Sequence, residues 1–164
     1  MAELVFTPAT ADQLPLFDAI RVAAYAPVFA SFRSLLGDHI YEIAQARDDA
    51  AQAELLVSLM RPDSGWEVYA AKQGAAVVGF VSLRCNDETK VGEIGLNAVH
   101  PEHGGRGIGT RMYEFAVSRL EQAGMRVAMV GTGGDASHAP ARRAYEKAGF
   151  DRQIPSVWMY RRLD

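Results

Sequence analysis

The fold of this 164-residue chain is decided at residues 98–110, which read Ala-Val-His-Pro-Glu-His-Gly-Gly-Arg-Gly-Ile-Gly-Thr. An apolar strand is predicted to end at Val99, Pro101 interrupts it, and four glycines then fall within six residues. Glycine is costly in regular structure, so this density indicates a backbone that turns sharply or approaches a ligand closely. A helical pattern begins directly afterwards. Since a helix N-terminus presents unpaired N–H groups beside the positive end of its dipole, the sequence predicts an anion site for a phosphorylated cofactor.

Two common phosphate-binding loops do not fit this stretch. A P-loop requires a lysine after its second glycine, and Gly104–Gly109 has the glycine spacing but is followed by Thr110. The dinucleotide fingerprint requires a glycine at position 110 or 112, where Thr110 and Met112 stand. Neither nucleotide-binding mechanism therefore applies.

The loop resembles the coenzyme A loop of the GNAT superfamily, the Gcn5-related N-acetyltransferases. That family's pattern is Arg/Gln-x-x-Gly-x-Gly/Ala between a strand and a helix, and it falls here on 104–109 with Gly104 at the Arg/Gln position. The resemblance implies that backbone N–H groups hold the pyrophosphate, and Arg106 can supply local positive charge. The cofactor-binding residues it implies are Ala98, Val99, Gly104, Gly105, Arg106, Gly107, Ile108, Gly109, Thr110, His138 and Ala141.

A second motif supports the resemblance. Residues 138–150 read His-Ala-Pro-Ala-Arg-Arg-Ala-Tyr-Glu-Lys-Ala-Gly-Phe, similar to the family's signature Asn-x-x-Ala-x-x-Leu-Tyr-x-x-x-Gly-Phe. The matching residues are Ala141, Tyr145, Gly149 and Phe150, and the differing ones are His138 for Asn and Ala144 for Leu. Two motifs in this order are more specific than either alone, and the resemblance covers residues 66–162.

The composition, 49% hydrophobic and 23% charged, is that of an ordinary globular chain. The length suits one domain, so we expect residues 1–164 to form a single GNAT-like acetyltransferase domain. A net charge of −3 argues against nucleic-acid or anionic-membrane partners. The single cysteine, Cys85, excludes an internal disulfide. Because we identify no signal peptide or membrane span in the sequence, we expect a cytoplasmic protein.

Periodicity and turn residues predict the order of the elements. Strands are expected at 4–6, 66–72, 75–84, 91–99, 127–130 and 156–161. Helices are expected from a cap at Thr10 or Asp12 to just before Pro27, over an interrupted region at 28–60, and at 107–123 and 138–148. The expected fold is α/β (α+β), a mixed, mostly antiparallel sheet flanked by helices, as in the GNAT-like acyl-CoA N-acyltransferase fold. Residues 1–65 would form the substrate side and residues 66–162 the coenzyme A-binding core.

Acetyl transfer from a thioester to an amine needs a base, a donor to the thioester oxygen and an acid for the departing thiolate. The resemblance implies that Tyr145 is the acid, because the family's tyrosine at this position points at the coenzyme A sulfur. The alternative is structural: if Gly149 is C′ of a Schellman motif, Tyr145 and Phe150 pack together. The resemblance also implies that the Val99 N–H binds the thioester oxygen where the strand splays.

Glu93 is the candidate base. It lies six residues before Val99, where histone-type members of the superfamily carry their glutamate. Alternation places Glu93 and Asn97 on one strand face unless a bulge intervenes, and Gly95 marks such a bulge or a close approach. The alternative is an exposed carboxylate that solvates the strand. Asn97 is also a candidate to bind the acceptor.

For several other candidate residues, a purely structural role is an alternative to a functional one. His100 and His103 lack a third ligand at plausible spacing, so no metal is expected. Cys85 is expected to be a buried strand cysteine. The basic residues Arg142, Arg143 and Lys147 would form a solvated helix face or contact the 3′-phosphate of coenzyme A. His138 would contact the cofactor or occupy an ordinary first helical turn.

The expected function is direct transfer of acetyl from acetyl-CoA, as co-substrate, to a primary amine of a small-molecule or amino-acid-like acceptor. Tyr25, Phe29 and Phe32 are further candidates to line the acceptor site, in a region that varies across the superfamily. Two alternatives remain open: acetylation of a protein N-terminus or lysine, and a noncatalytic acyl-CoA-binding sensor. No nucleic-acid or membrane partner is expected, and the chain would be a monomer or a homodimer.

Overall fold

Five strands form one sheet in the computed structural model, which describes residues 3–164. They are β1 (Leu4–Pro8), β2 (Glu67–Gln73), β3 (Ala76–Asn86), β4 (Val91–Val99) and β5 (Val127–Val130). Their spatial order follows the sequence, and neighbouring strands are antiparallel except β4 and β5, which are parallel. The expected mixed, mostly antiparallel sheet is confirmed.

Helices cover both faces of the sheet. The first face, here the α1 face, carries α1 (Leu14–Ala44) and α2 (Ala46–Leu59), and the opposite α3 face carries α3 (Ile108–Gln122) and α4 (Ala139–Lys147). On the α1 face, Phe17 and Leu56 pack against Phe80 of β3. On the α3 face, Met112 and Leu120 are fully buried against the sheet. The sheet therefore separates two apolar cores.

Helix α1 continues through Pro27, so the expectation that it ends before this proline is wrong. A proline in a helix interior loses one hydrogen bond and costs about 3 kcal/mol. Here the apolar contacts of Ile20 before the proline and Tyr25 beside it hold the helix on the sheet. The break occurs instead at Gly37, whose φ of 72° interrupts the helical geometry, as expected for that region.

The helical region Ala11–Ala44 is long and apolar enough to cross a membrane by length and composition alone. Core helices of soluble proteins satisfy the same criterion. This region contributes Phe17 and Ile20 to the core on the α1 face, where both are buried against the sheet.

A β-bulge interrupts β4 at Gly95. The pairing of β3 with β4 shifts register at Ser82, which lies opposite both Gly95 and Leu96. A Cβ on residue 95 would lie 2.4 Å from the Trp66 ring and 2.8 Å from Ser82 Oγ, so only glycine fits without displacement. The bulge and the close approach expected at this glycine are both confirmed.

The bulge changes which side chains of β4 face each core. Ile94 packs in the core on the α3 face, whereas Ala98, four residues later, packs in the core on the α1 face. Because strict alternation would keep these two residues on the same face, the bulge has reversed the pattern between them. Glu93 and Asn97 consequently lie on opposite faces, and the shared face that simple alternation predicts is absent.

Strands β4 and β5 separate beyond the bulge. Their pairing ends at Ile94 and Val130, although β4 continues to Val99. Within residues 3–164, no strand pairs with 95–99 on that side. The sheet therefore opens at the strand end that leads into the glycine-rich loop.

The C-terminal segment is not a strand, so the strand expected at 156–161 is wrong. Its apolar side chains remain exposed, including Trp158 at 86% and Met159 at 90%. At its end, Asp164 Oδ1 lies 3.0 Å from Nε2 of His39 on α1. Alternation alone does not make a strand, because the backbone also requires a strand to pair with.

We expect Gly95→Ala to lower the free energy of unfolding by about 1–3 kcal/mol, because the new Cβ overlaps the Trp66 ring in a packed core. Urea unfolding followed by tryptophan fluorescence measures this change. The control is Gly131→Ala, where nothing lies within 4 Å of the added Cβ. That variant should change stability by less than about 0.5 kcal/mol. Equal unfolding midpoints for the two variants would contradict the bulge.

Candidate functional site

A cleft of about 990 Å³ opens where β4 and β5 separate. The glycine-rich loop, the start of α4 and one side of α1 form its walls. The expected cofactor-binding residues that line it are Ala98, Val99, Gly104, Gly105, Gly107, Ile108, Gly109, Thr110, His138 and Ala141. Glu93, Asn97, Tyr25 and Tyr145 line the same cleft. Arg106 is exposed and lies outside the lining.

The glycine-rich loop ends in an open helix N-terminus. Gly105 and Gly107 have φ of 72° and 75°, a left-handed conformation that favours glycine. Gly107 is the N-cap of α3, and its carbonyl oxygen accepts the N–H of Arg111 at 3.1 Å. The N–H groups of 108–110 precede the first intrahelical bond and remain available at the positive end of the helix dipole. This geometry fits a phosphate group.

Basic side chains of α4 supply positive charge at the cleft. Arg143 and Lys147 are exposed and line it. Arg142 is not part of a solvated face, because its Nη1 donates to the carbonyl oxygens of Gly133 and Asp135 at 2.5 and 2.7 Å. Arg143 and Lys147 of α4 are therefore among the cations that line the cleft, whereas Arg106 is not part of the lining.

Asn97 is the hydrogen-bonding centre of the cleft floor. Its Nδ2 donates to the Gly95 carbonyl oxygen at 2.9 Å and to the Tyr145 hydroxyl at 3.1 Å. Its Oδ1 accepts the Tyr113 hydroxyl at 2.8 Å, and its carbonyl oxygen accepts the Tyr25 hydroxyl at 3.1 Å. Both amide hydrogens are therefore used within the protein. Since the Tyr145 oxygen accepts from Asn97, its own hydrogen is free to donate elsewhere.

The Tyr145 hydroxyl stays protonated at neutral pH. Burial raises its pKa above the usual value for tyrosine, and the neighbouring Tyr113 hydroxyl and the hydrogen bond from Asn97 offset part of that rise. Its ring stacks on Tyr113 with the centroids 4.1 Å apart. The arrangement holds a neutral phenol in a fixed position at the cleft wall.

Tyr145 also closes helix α4. The N–H of Gly149, at φ 96°, donates to the Glu146 carbonyl, and the N–H of Phe150 donates to the Tyr145 carbonyl, both at 3.1 Å. These are the two bonds of a Schellman motif. The Tyr145 and Phe150 rings pack edge to face, 5.8 Å apart. The structural alternative for Tyr145 is confirmed, and the same side chain lines the cleft.

The backbone N–H of Val99 points into the opening between the strands. The next residue, His100, donates its N–H to the Val78 carbonyl oxygen of β3 at 2.8 Å. Because successive N–H groups of a strand alternate in direction, the Val99 N–H is directed away from β3. It is therefore available to a carbonyl oxygen in the cleft.

Glu93 lines the cleft from the α1 face, but its carboxylate is already paired. Oε2 accepts hydrogen bonds from Arg84 at 2.8 Å (Nε) and 2.6 Å (Nη2). The Arg84 guanidinium lies 4.7 Å from the Trp66 ring centroid. Two nitrogens of the Arg84 guanidinium therefore converge on one oxygen of the Glu93 carboxylate.

A second cavity of about 400 Å³ adjoins the cleft on the α1 face. Phe29 and Phe32 of α1 line it, and Asp48 and Asp49 of α2 make its wall acidic. The Asp49 carboxylate is bound by the Tyr41 hydroxyl at 2.7 Å. The residues common to the two cavities are Tyr25, Val28, Leu55 and His138.

Asp135 and Ser31 also belong to this site, although neither was predicted from the sequence. Asp135 Oδ1 lies 2.5 Å from His138 Nδ1, and its Oδ2 accepts the Ser31 hydroxyl of α1 at 2.9 Å. The Asp-x-x-His spacing after Gly133 and Gly134 could have indicated the contact between Asp135 and His138. No local pattern could have connected Ser31 to a residue 104 positions away.

The surroundings of His100, His103 and Cys85 give no support to a metal site or a reactive thiol. Within residues 3–164, no group of three or more His, Cys, Asp or Glu could hold a metal ion. His100 Nδ1 accepts the Glu102 N–H at 3.3 Å. Cys85 is half-buried on β3, and burial raises the pKa of its thiol.

Comparison with known proteins agrees with this geometry. A mycothiol acetyltransferase of Sanguibacter keddieii is 28% identical over 166 residues, which cover 96% of this chain and 52% of the relative. The chain thus spans about half the length of that relative. A GNAT-family acetyltransferase structure from Desulfovibrio desulfuricans superposes with a TM-score of 0.70 at 18% identity, covering 93% of this chain and 87% of that one. A GNAT acetyltransferase from Brucella melitensis in complex with acetyl-CoA gives 0.60 at 17% identity, covering 82% and 79%.

The model of the acetyltransferase (GNAT) family matches residues 30–150, which is more than half of the chain. This range contains the glycine-rich loop, the bulged strand β4 and helix α4. The expected resemblance and fold are confirmed, and the chain belongs to the acetyltransferase (GNAT) family.

Proposed function

We propose that this chain transfers the acetyl group of acetyl-CoA directly to a primary amine of a small-molecule or amino-acid-like acceptor. The observation that carries the proposal is the Tyr145 hydroxyl. It is neutral, fixed by Asn97, and free to donate its proton in a cleft that also contains an open helix N-terminus. This combination suits a phosphorylated thioester whose sulfur must be protonated as it leaves.

The cleft provides separate contacts for the two ends of acetyl-CoA. The N–H groups at the start of α3, with Arg143 and Lys147, suit the phosphates. The Val99 N–H suits the thioester oxygen, where negative charge develops during attack. These contacts fix the reacting carbonyl near Tyr145, and proximity then contributes a large part of the rate.

Tyr145 acts at the end of the transfer. When the amine nitrogen bonds to the carbonyl carbon, the carbon–sulfur bond breaks and its electron pair goes to sulfur. The Tyr145 hydroxyl donates a proton to that thiolate and regains one that the new amide nitrogen loses. Asn97 keeps the phenol oxygen in place throughout, because its amide donates to that oxygen.

The second cavity suits a small cationic acceptor. Its volume of about 400 Å³ lies within the usual range for small-molecule sites. Its acidic wall attracts an ammonium group, and its aromatic side chains favour the same cation. The mycothiol acetyltransferase relative is consistent with a small-molecule acceptor. We propose a cytoplasmic location, where acetyl-CoA and such amines meet.

We expect Gly107→Val to abolish tight acetyl-CoA binding, because valine is strained at φ 75° and blocks the loop. For the native chain, acetyl-CoA at 100 times its Kd should add about 2.7 kcal/mol of stability, measured by thermal melting. The control is Gly124→Val, which places the same residue at φ 79° at the other end of α3. It should lose stability but keep the stabilisation by acetyl-CoA. Equal stabilisation of both variants would show that the loop is misassigned.

We expect Tyr145→Phe to lower kcat by about 10²-fold or more, because the variant lacks the proton donor. The Kd for acetyl-CoA should change little, since the ring still packs in the helix terminus. A thiol-release assay measures turnover. Tyr69→Phe, whose hydroxyl binds Glu67 away from the cleft, is the matched control and should keep full turnover. Unchanged turnover of Tyr145→Phe would leave this residue only its packing role.

The raised pKa of Tyr145 also predicts a pH dependence. An acid must be protonated to act, so its contribution is complete below its pKa and is lost as the pH rises through that value. Since burial moves this pKa above the ordinary tyrosine value of 10.0, no loss of turnover from Tyr145 should occur below about pH 10. A kcat profile between pH 7 and 10, compared with that of Tyr145→Phe, tests this.

We expect Asp48→Asn to raise KM for cationic amines several-fold, because the cavity wall loses one negative charge. Uncharged acceptor analogues should bind the variant and the native chain equally. The control is Asp63→Asn, which lies outside both cavities. An equal rise of KM for charged and uncharged acceptors would argue against electrostatic recognition at this wall.

A further inference from the structure

His138 and Asp135 form a hydrogen-bonded pair beside the acceptor cavity. His138 Nδ1 lies 2.5 Å from Asp135 Oδ1, and the two side chains are only 16% and 14% exposed. The family signature has Asn at position 138, so this imidazole is a departure that the coenzyme A resemblance does not explain.

The Asp135 carboxylate is held in its charged form. Burial by itself raises its pKa, but hydrogen bonds from Ser137, His138 and Ser31 outweigh burial and hold the pKa well below its usual range. A carboxylate only accepts hydrogen bonds, so Nδ1 of His138 must carry the hydrogen between them. In the neutral imidazole, the lone pair is then on Nε2.

The protein is built to hold this orientation. A Cβ on Gly133 would lie 2.3 Å from His138 Nδ1, so glycine is what admits the ring. Arg142 fixes the loop through the carbonyl oxygens of Gly133 and Asp135. Phe32 of α1 stacks on the imidazole with the ring centroids 5.8 Å apart.

The position of His138 suits a proton acceptor. Its ring lies in the wall shared by the cleft and the second cavity, so it borders both the proposed cofactor site and the proposed acceptor site. Among residues 3–164, none forms a hydrogen bond with Nε2. Glu93, by contrast, is paired with Arg84.

We propose that His138, oriented by Asp135, is the catalytic base that accepts the proton of the acceptor ammonium. This inference rests on the proposed function. His138 Nε2 takes one proton from the ammonium, and the freed lone pair on nitrogen forms the new bond to the carbonyl carbon. The resulting imidazolium, stabilised by the Asp135 carboxylate, returns its proton to water after each turnover.

Charged and titratable groups from several elements face this imidazole. They are Asp135 on its own loop, Asp48 and Asp49 from α2, Tyr25 from α1, and Arg142 and Arg143 from α4. Asp135 is the one in direct contact with the ring, and it sets which ring nitrogen carries the hydrogen.

The test compares pH profiles of kcat/KM for His138→Asn, Asp135→Asn and Glu93→Gln, with a small amine that the native chain acetylates. His138→Asn restores the family's residue and should lower kcat by about 10²-fold or more, while acetyl-CoA still stabilises the variant in thermal melts. It should also remove the acidic limb of the profile. Asp135→Asn should lower kcat, because the imidazole loses the carboxylate that orients it. Glu93→Gln should keep the acidic limb, because His138 is still present.

Each alternative has its own outcome. If His138→Asn keeps kcat but weakens acetyl-CoA binding, His138 is a cofactor contact and the inference is wrong. If Glu93→Gln removes the acidic limb, Glu93 is the base and the inference is also wrong. If the native chain binds acetyl-CoA but acetylates no amine, the proposed function itself fails, and the inference fails with it.

A second pair of variants tests the role without touching either side chain. Gly133→Ala should displace the imidazole and lower kcat, because its Cβ would overlap the ring. Gly134→Ala, where nothing lies within 4 Å of the added Cβ, should retain kcat. Equal kcat for the two variants would overturn the requirement for the observed His138 position.

Discussion

The site depends on the bulge at Gly95. One additional residue in β4 transfers the following side chains to the other face of the sheet, and the strand then diverges from β5. Without the bulge, Asn97 would face α1 and could not reach Tyr113 and Tyr145 on the α3 face. The Trp66 ring lies where a Cβ on residue 95 would be, so packing at the bulge requires glycine. The bulge thus accompanies both the opening between the strands and its hydrogen-bonding floor.

The divergence of the strands lets groups from both faces meet. The glycine-rich loop and Tyr145 approach from the α3 face, and the aromatic and acidic residues of α1 and α2 approach from the other. In a continuous sheet, a layer of paired backbone would separate them. Each partner of the proposed reaction can therefore be recognised by its own helices, and the acceptor side can vary while the donor side keeps its pattern.

Local patterns made much of this structure predictable. The loop at 104–109 and the signature ending at Phe150 depend on turn and cap geometry, which a few neighbouring residues determine. The face of Asn97 was not predictable by alternation alone, because the register shift at Ser82 reverses the alternation between Ile94 and Asn97. Two other predictions were wrong for a related reason. Tertiary packing continues the helix through Pro27 despite the local preference, and the segment at 156–161 has no strand to pair with.

His138 illustrates how a deviation from a motif acquires meaning from its surroundings. An asparagine at this position offers an amide that does not take up a proton near neutral pH, whereas an imidazole does. The histidine at position 138 has a fixed orientation because Gly133 leaves room for the ring and Asp135 binds the hydrogen on Nδ1. Ser31 in turn links the Asp135 carboxylate to α1. The last link connects the motif on the donor side to the helix that lines the acceptor cavity. A histidine introduced without these partners would still line the cavity, but neither the tautomer nor the orientation of its imidazole would be fixed.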